Sequence, residues 1–125
     1  MKYVGIDGDN IGSKIELYFL EDSEESIQVF SEIVGKTIRL VASQLEELGM
    51  KIIFCGGDSI LCRADEIDTV KLRDILAVEA KNEIRFSVGV GETMKQAYMA
   101  LKYAKTSGKD RIVILEEDQF KTVFD

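Results

Sequence analysis

The sequence predicts one α+β domain over residues 1–125, of the ferredoxin-like, split βαβ kind. Its sheet is expected to be antiparallel or mixed, with helices packed on one face. Three observations predict it. β-prone runs alternate with helix-period stretches in the order β-α-β-β-α-β-α-β. One pair of runs is joined directly by a glycine turn, which marks a hairpin. The chain has no proline, low-complexity tract or internal repeat, and so no linker.

Residues 2–7 alternate and read as the first strand. Residues 10–20 are apolar and mixed, with Ile11, Ile15, Leu17, Phe19 and Leu20, and suit a short helix or a lid. Ser23 can then cap a helix whose first turn carries Glu24 and Glu25. Ile27, Phe30, Val34, Ile38, Val41, Leu45 and Leu48 recur every three or four residues, and Gly49 ends the run. Lys51 to Cys55 and Ser59 to Ala64 form the hairpin. Asp65 is expected to cap a helix reaching about Lys81, with Ile67, Val70, Ile75, Leu76 and Val78 inward. Ile84 to Val90 is a strand. Thr93 caps a further helix with Met94, Ala97, Leu101 and Ala104 inward, closed by Gly108. Arg111 to Leu115 is the last strand. Phe120, Val123 and Phe124 then fall at helical spacing, as a tail packing on the body or on another subunit.

The net charge of −7 argues against a duplex nucleic-acid binder, which needs a basic stripe. A nucleotide pocket remains compatible, because local lysines and a metal offset local charge. The chain has no histidine, which excludes histidine triads, Glu-x-x-His metal sites and imidazole proton shuttles. No apolar run approaches the roughly 20 residues that span a bilayer. The start lacks a signal-peptide layout, so a cytoplasmic protein is expected. Cys55 and Cys62 flank the glycine turn and read as free thiols.

Two segments carry the chemistry. Phe54-Cys55-Gly56-Gly57-Asp58-Ser59 and Tyr3-Val4-Gly5-Ile6-Asp7-Gly8-Asp9-Asn10 are apolar strands that end in a carboxylate on a glycine-rich turn. Alone, each is ordinary turn vocabulary. The split βαβ topology brings the end of the first strand beside the hairpin turn, so Asp7 and Asp58 meet at one sheet edge. Together they can hold Mg²⁺ (or Mn²⁺), with the Gly8 carbonyl as a further ligand and the remaining positions left to water and phosphate. Gly56 and Gly57 let backbone approach a ligand. Asn10, Ile11 and Gly12 offer backbone N–H groups, and a helix starting there attracts phosphate. Lys105 and Lys109, between a helix and the last strand, are either dipole-complementing surface charge or a phosphate clamp.

These residues resemble known proteins. The Phe54–Ser59 segment resembles the signature hairpin of the GGDEF diguanylate cyclases and of CRISPR polymerase palm domains. Ser87-Val88-Gly89-Val90-Gly91, then Ala97, Ala100-Leu101, Ala104-Lys105 and Gly108-Lys109-Asp110-Arg111, resembles the C-terminal half of that superfamily. Asp7-Gly8-Asp9-Asn10 is similar to the first metal strand of the CRISPR branch, and the short chain is most similar to the minimal CRISPR polymerases. The resemblance implies a palm domain that makes cyclic nucleotides from nucleoside triphosphates with Mg²⁺, in antiviral defence. It implies catalytic and metal roles for Asp7 and Asp58, with Gly8 adding its carbonyl. Asp9, Asn10, Ile11, Gly12, Gly57 and Ser59 would line the nucleotide site, and Lys105 and Lys109 would contact phosphates.

Two departures shape the expectation. Ser59 stands where the family hairpin commonly has a second acid, and Asp9 is the candidate to replace it. Ile15 falls near the Asn with which diguanylate cyclases read guanine, so ATP is favoured. Head-to-tail joining of two nucleotides implies a homodimer, and a cyclic product implies an effector protein that senses it. Two other readings stand beside this one. The first is a nucleotide-binding sensor palm without turnover, motivated by Ser59. The second is a small haloacid-dehalogenase-type phosphatase, in which Asp7 is the nucleophile and Asp9 the general acid.

Overall fold

The computed structural model describes residues 1–79 and 84–123. In chain order these form β1 (Lys2–Gly8), α1 (Ile11–Leu20), α2 (Glu24–Glu47), β2 (Lys51–Gly56) and β3 (Ser59–Ala64). There follow α3 (Thr69–Glu79), β4 (Phe86–Gly91), α4 (Met94–Thr106), β5 (Ile112–Glu116) and β6 (Gln119–Val123). One six-stranded sheet has the order β2-β3-β1-β4-β5-β6. β3 lies antiparallel between β1 and β2, and β4 antiparallel on the other side of β1. That is the split βαβ arrangement read from the sequence. β5 then adds parallel to β4, so the sheet is mixed.

The main core forms where α2 and α3 cover one face. Phe30, Val34, Ile38, Val41 and Leu45 of α2 cluster with Leu72 and Leu76 of α3 and with Val4, Ile6, Ile60 and Val88 of the sheet. α2 is punctuated as its sequence implies. The Ser23 hydroxyl accepts from the Ser26 N–H at 3.3 Å, and Gly49 takes a φ of +88°. The Met50 N–H then reaches back to the Leu45 carbonyl, an αL helix ending.

α1 packs Ile11, Ile15 and Tyr18 on the same core, so α1, α2 and α3 share one face, and α4 lies on the other. Val4 and Ile6 point into the main core, so Tyr3, Gly5 and Asp7 point away from it. On that second face a Cβ on Gly5 would meet the Leu101 side chain at 3.5 Å. A Cβ on Gly89 would lie 2.2 Å from the Leu101 nitrogen and 2.3 Å from the Ala97 carbonyl. The helix backbone therefore rests directly on β4, and Ala97, Ala100 and Ala104 are fully buried beneath it. Only a glycine strand under an alanine helix permits so close an approach.

Three further expectations are corrected. The segment Gln119–Val123 is a strand, β6, paired antiparallel with β5, and not a helical tail. Glu117 and Asp118 adopt positive φ and turn the chain directly back, so the spacing of Phe120 and Val123 reflects a hairpin. Phe124 lies outside the described residues. The cap of α3 is Asp68, whose carboxylate accepts from the N–H groups of Val70 and Lys71 at 3.0 and 3.1 Å; Asp65 precedes the helix. This later start rotates the face, so Leu72 and Leu76 are buried while Val70 and Val78 are about half exposed. The expected end near Lys81 lies outside the described residues. Met94 and Leu48, expected inward, sit at helix ends and are exposed. Of residues 10–20, read as a short helix or a lid, Ile11–Leu20 form a helix. Both cysteines are free; burial pushes the Cys62 thiol up to about 12. Among the described residues no helix is long and apolar enough to cross a membrane.

Candidate active site

β1 carries Asp7 and Gly8 to its C-terminal end. There Asp7 lies across from Ser59 on β3 and from Ser87 on β4. The Gly8 N–H donates to the Asp58 carbonyl at 2.9 Å. A Cβ on Gly8 would stand 2.8 Å from Ile11 Cγ1 and 3.3 Å from Asp58 Cβ. Glycine at position 8 thus lets the strand end, the hairpin turn and the start of α1 converge. Gly57, at a φ of +58°, turns the hairpin, and open space surrounds the place of its Cβ.

The carboxylates are unequal. Burial first, and then the charge of Asp7, hold the Asp58 carboxyl above the usual aspartate value. Asp7 is oriented by the Ser59 hydroxyl, which donates to its Oδ1 at 2.6 Å. Its Oδ2 faces the Lys105 ammonium at 3.1 Å. That ammonium also donates to the Gly8 carbonyl at 2.8 Å and to Asp9 Oδ1 at 3.0 Å. Burial alone would lower the Lys105 pKa. Hydrogen bonds to Asp9 and Asp7, with their charges, outweigh it and hold the group above its ordinary value.

The side chain of Asp9 is only 2% exposed. Oδ1 accepts from the Ser87 hydroxyl at 2.6 Å and from Lys105, and Oδ2 accepts from the Asp110 N–H at 2.8 Å. Its own N–H donates to the Arg85 carbonyl. Asp9 was expected to line the triphosphate site or to stand in for a missing acid; here both its oxygens are turned inward, holding Lys105 and the loop after α4. The same bonds remove the phosphatase reading, since a general acid cannot be pinned by three donors. Ser87, fully buried, escaped notice as a site residue. Its signal was a hydroxyl inside an apolar strand.

Asn10 precedes α1 at a φ of 61° and gives the helix no side-chain cap; its Oδ1 accepts instead from Lys109 Nζ. The first-turn N–H groups of α1 are thus left without a side-chain acceptor, beside Asp58 and Lys105, a setting that attracts an anion. Gly12 is exposed, with open space where a Cβ would stand. The Ile11 side chain packs on the core, so only its backbone faces this edge. Ile15 also packs on the core and presents no hydrogen-bonding group. A recess of about 340 Å³ between α1 and α2 is lined by Lys14, Tyr18, Glu25, Ser26 and Phe30 among others.

The donors suit a hard divalent cation. Asp7, Asp9 and the Gly8 carbonyl already hold a positive charge, the Lys105 ammonium. Among the described residues no three His, Cys, Asp or Glu side chains group to hold a metal. An ion here would rest on Asp7, Asp58 and the Gly8 carbonyl, with water and substrate phosphate completing its shell.

The model of the minimal CRISPR polymerase domain matches residues 3–115. No curated protein matches the chain in sequence. A Csm1-Csm4 cassette solved in complex with cA4 superposes with a TM-score of 0.67 at 16% identity, over 90% of this chain and 20% of that one. The chain thus spans about a fifth of that relative. The GGDEF domain of DgcB from Caulobacter crescentus, in complex with c-di-GMP, gives a TM-score of 0.61 at 18% identity, over 90% of this chain and 76% of that one. The adenylyl cyclase CyaB from P. aeruginosa gives 0.62 at 9% identity, over 94% and 76%. At these identities the likeness shows the palm fold.

Proposed function

This chain belongs to the minimal CRISPR polymerase family, and from that premise we propose that it is a metal-dependent nucleotidyltransferase. Its substrates are nucleoside triphosphates, ATP by preference, and its product is a cyclic di- or oligonucleotide. The carrying observation is the oxygen seat of Asp7 Oδ2 and the Gly8 carbonyl, with Asp58 crowded beside it, next to the uncapped start of α1. Structures of the Csm1-Csm4 cassette in complex with one ATP and with pppApApA, both similar to this chain in fold, support the adenine choice. Ile15, apolar and partly buried against the core, offers guanine no hydrogen-bond partner and supports it too.

In the proposed reaction a 3′-hydroxyl of one nucleotide attacks the α-phosphate of the next. A phosphodiester bond forms, the bond to the β-phosphate breaks, and pyrophosphate leaves with the hydroxyl proton released to solvent. For a dinucleotide a second such step closes the ring; for a longer product the step repeats before the last one closes it. A divalent cation bound by Asp7, Asp58 and the Gly8 carbonyl would neutralise the triphosphate and acidify the attacking hydroxyl. Ser59 orients Asp7. Lys105, now holding the carboxylates, finds stronger acceptors in an arriving triphosphate, and Lys109 stands beside the first turn of α1 to meet the same group. The recess between α1 and α2 is the concave surface that takes the base. Catalysis is mainly positioning and charge neutralisation. Two donor sites must face each other, so the working form is a homodimer, and an effector protein in the cytoplasm reads the product.

Purified protein incubated with each NTP and Mg²⁺ or Mn²⁺, read by mass spectrometry beside Asp58→Asn, tests this. A cyclic product absent from the variant is expected. One observation favours the sensor as second reading: Ser59 spends its hydroxyl on Asp7, and the hairpin offers a single acid. Bound nucleotide with no pyrophosphate release under either metal would establish that reading in place of the first.

A further inference from the structure

The second face of the sheet is covered over only part of its width. α4 lies against β1, β4 and β5, and the sheet extends past it through β3 to the edge strand β2. Register places Gly5, Leu61 and Phe54 in one row across β1, β3 and β2, and Tyr3, Arg63 and Lys51 in the next. The register shift at Ile53 keeps Lys51 and Phe54 on the same side of β2. Gly5 faces Leu101 of α4, so both rows belong to this second face. Asp7, Ser59 and Gly56 form the row on the other side of Gly5, so the open strip begins at the candidate site. α4 borders it with Tyr98, Leu101 and Lys105, which share one helix flank.

Rings and cations meet on this strip. Phe54 is 55% exposed, and its ring lies over Gly56, 3.1 Å from where a Cβ would stand. Tyr98 is 58% exposed, with the Lys102 ammonium 5.6 Å from its ring centre. Tyr3, Leu61 and Arg63 are partly exposed, and Lys51 fully so. Among the described residues Lys51, Arg63 and Lys102 have no carboxylate partner. Asp7 is the one acid in the three rows, and it already faces Lys105. In a chain of net charge −7 such a strip is a local reversal of sign. Exposed rings interleaved with cations suit a single-stranded nucleic acid, whose bases stack while its phosphates meet the charges. A duplex keeps its base faces covered, and an acidic peptide has no flat faces to stack.

We propose that this strip binds a single-stranded oligonucleotide, with its 3′ end at the Asp7–Asp58 edge, a base on Phe54 and phosphates on Lys51, Arg63 and Lys102. The identity of the strand rests on the nucleotidyltransferase reading: it is the linear product before ring closure. Its 3′-hydroxyl reaches the metal ligands from the side that Asp7 faces. The recess between α1 and α2 lies on the opposite face, so the strand and the incoming triphosphate do not compete for one surface.

The chain has no tryptophan, so Phe54→Trp places a lone reporter on the strip. Titration with a short single-stranded oligoadenylate, without divalent cation or NTP, should quench its fluorescence saturably. Tyr103→Trp, on the flank of α4 that stacks against Phe120, should stay unquenched. With the native chain and a fluorescein-labelled strand, three phosphate contacts predict that log affinity falls with log salt at a slope of about −2. Arg63→Gln should make that slope shallower by about 0.7. Phe54→Ala should weaken binding about tenfold, the scale of one stacked base. No quenching in the Phe54→Trp variant, equal affinity for a duplex or for polyglutamate, or a slope near zero would each overturn the proposal. The slope is read on the native chain, so the test holds even if a variant folds poorly. Loss of NTP turnover with the strand still bound counts against the nucleotidyltransferase reading alone, and turnover with no strand bound counts against this proposal alone.

Discussion

Asp58 is held above the usual aspartate value by burial and by Asp7, and this fixes two signs. A carboxyl whose folded pKa is raised favours the fold most below its unfolded pKa, and that contribution is lost as pH rises through the folded value. At neutral pH its charge is therefore a cost to the fold. Asp58→Asn should leave the melting temperature unchanged or raise it, while product formation falls by at least about a hundredfold, the scale of losing one preorganised electrostatic group. For the same reason the Asp58 carboxyl should titrate above the ordinary aspartate value in carboxyl-carbon NMR of the metal-free protein. Lys105 carries the opposite kind of role. Lys105→Ala strands buried Asp9 without its cation and should cost about 2 kcal/mol in chemical denaturation, besides raising KM for the triphosphate. In an Asp9→Ala background the stability cost of the same change should largely vanish, and an undiminished cost would show that the two do not couple.

Elements set these residues in place. α4 aims Lys105 at the end of β1 only because its backbone rests on β4. Gly89→Ala forces a Cβ into the helix backbone and should cost about 3 kcal/mol, the upper end for overpacking, with Lys105 displaced. Gly5→Ala, whose Cβ would meet only the end of Leu101 at 3.5 Å, should cost under about 1 kcal/mol. Equal costs in urea titration would show that α4 does not depend on this close approach. α1 has the converse logic. Its start lacks a side-chain cap, which leaves first-turn N–H groups for a ligand at the expense of helix stability.

At the scale of the whole molecule, one outward surface belongs with the proposed head-to-tail reaction. Leu17, Phe19 and Leu20 of α1 are 49%, 68% and 86% exposed, close in sequence to the candidate site. Phe19→Glu with Leu20→Glu should yield a monomer by sedimentation and lose cyclic product, while nucleotide binding persists. Full cyclisation by a strictly monomeric protein would contradict the facing-sites geometry.

The sequence by itself determined the split βαβ order, the hairpin at Gly56–Gly57 and the meeting of Asp7 with Asp58. These follow from local period, from turn chemistry and from a topology that periodicity limits to few choices. The caps at Ser23 and Thr93 were legible for the same local reason. Only the tertiary structure decided that Asp9 turns inward, because its partners, Ser87 on β4 and Lys105 and Asp110 around the end of α4, come from two distant segments and no spacing connects them to it. It also decided that α4 takes the second face and that β6 is a strand. Helical and hairpin spacings coincide in so short a tail, and pairing with β5 settles the difference.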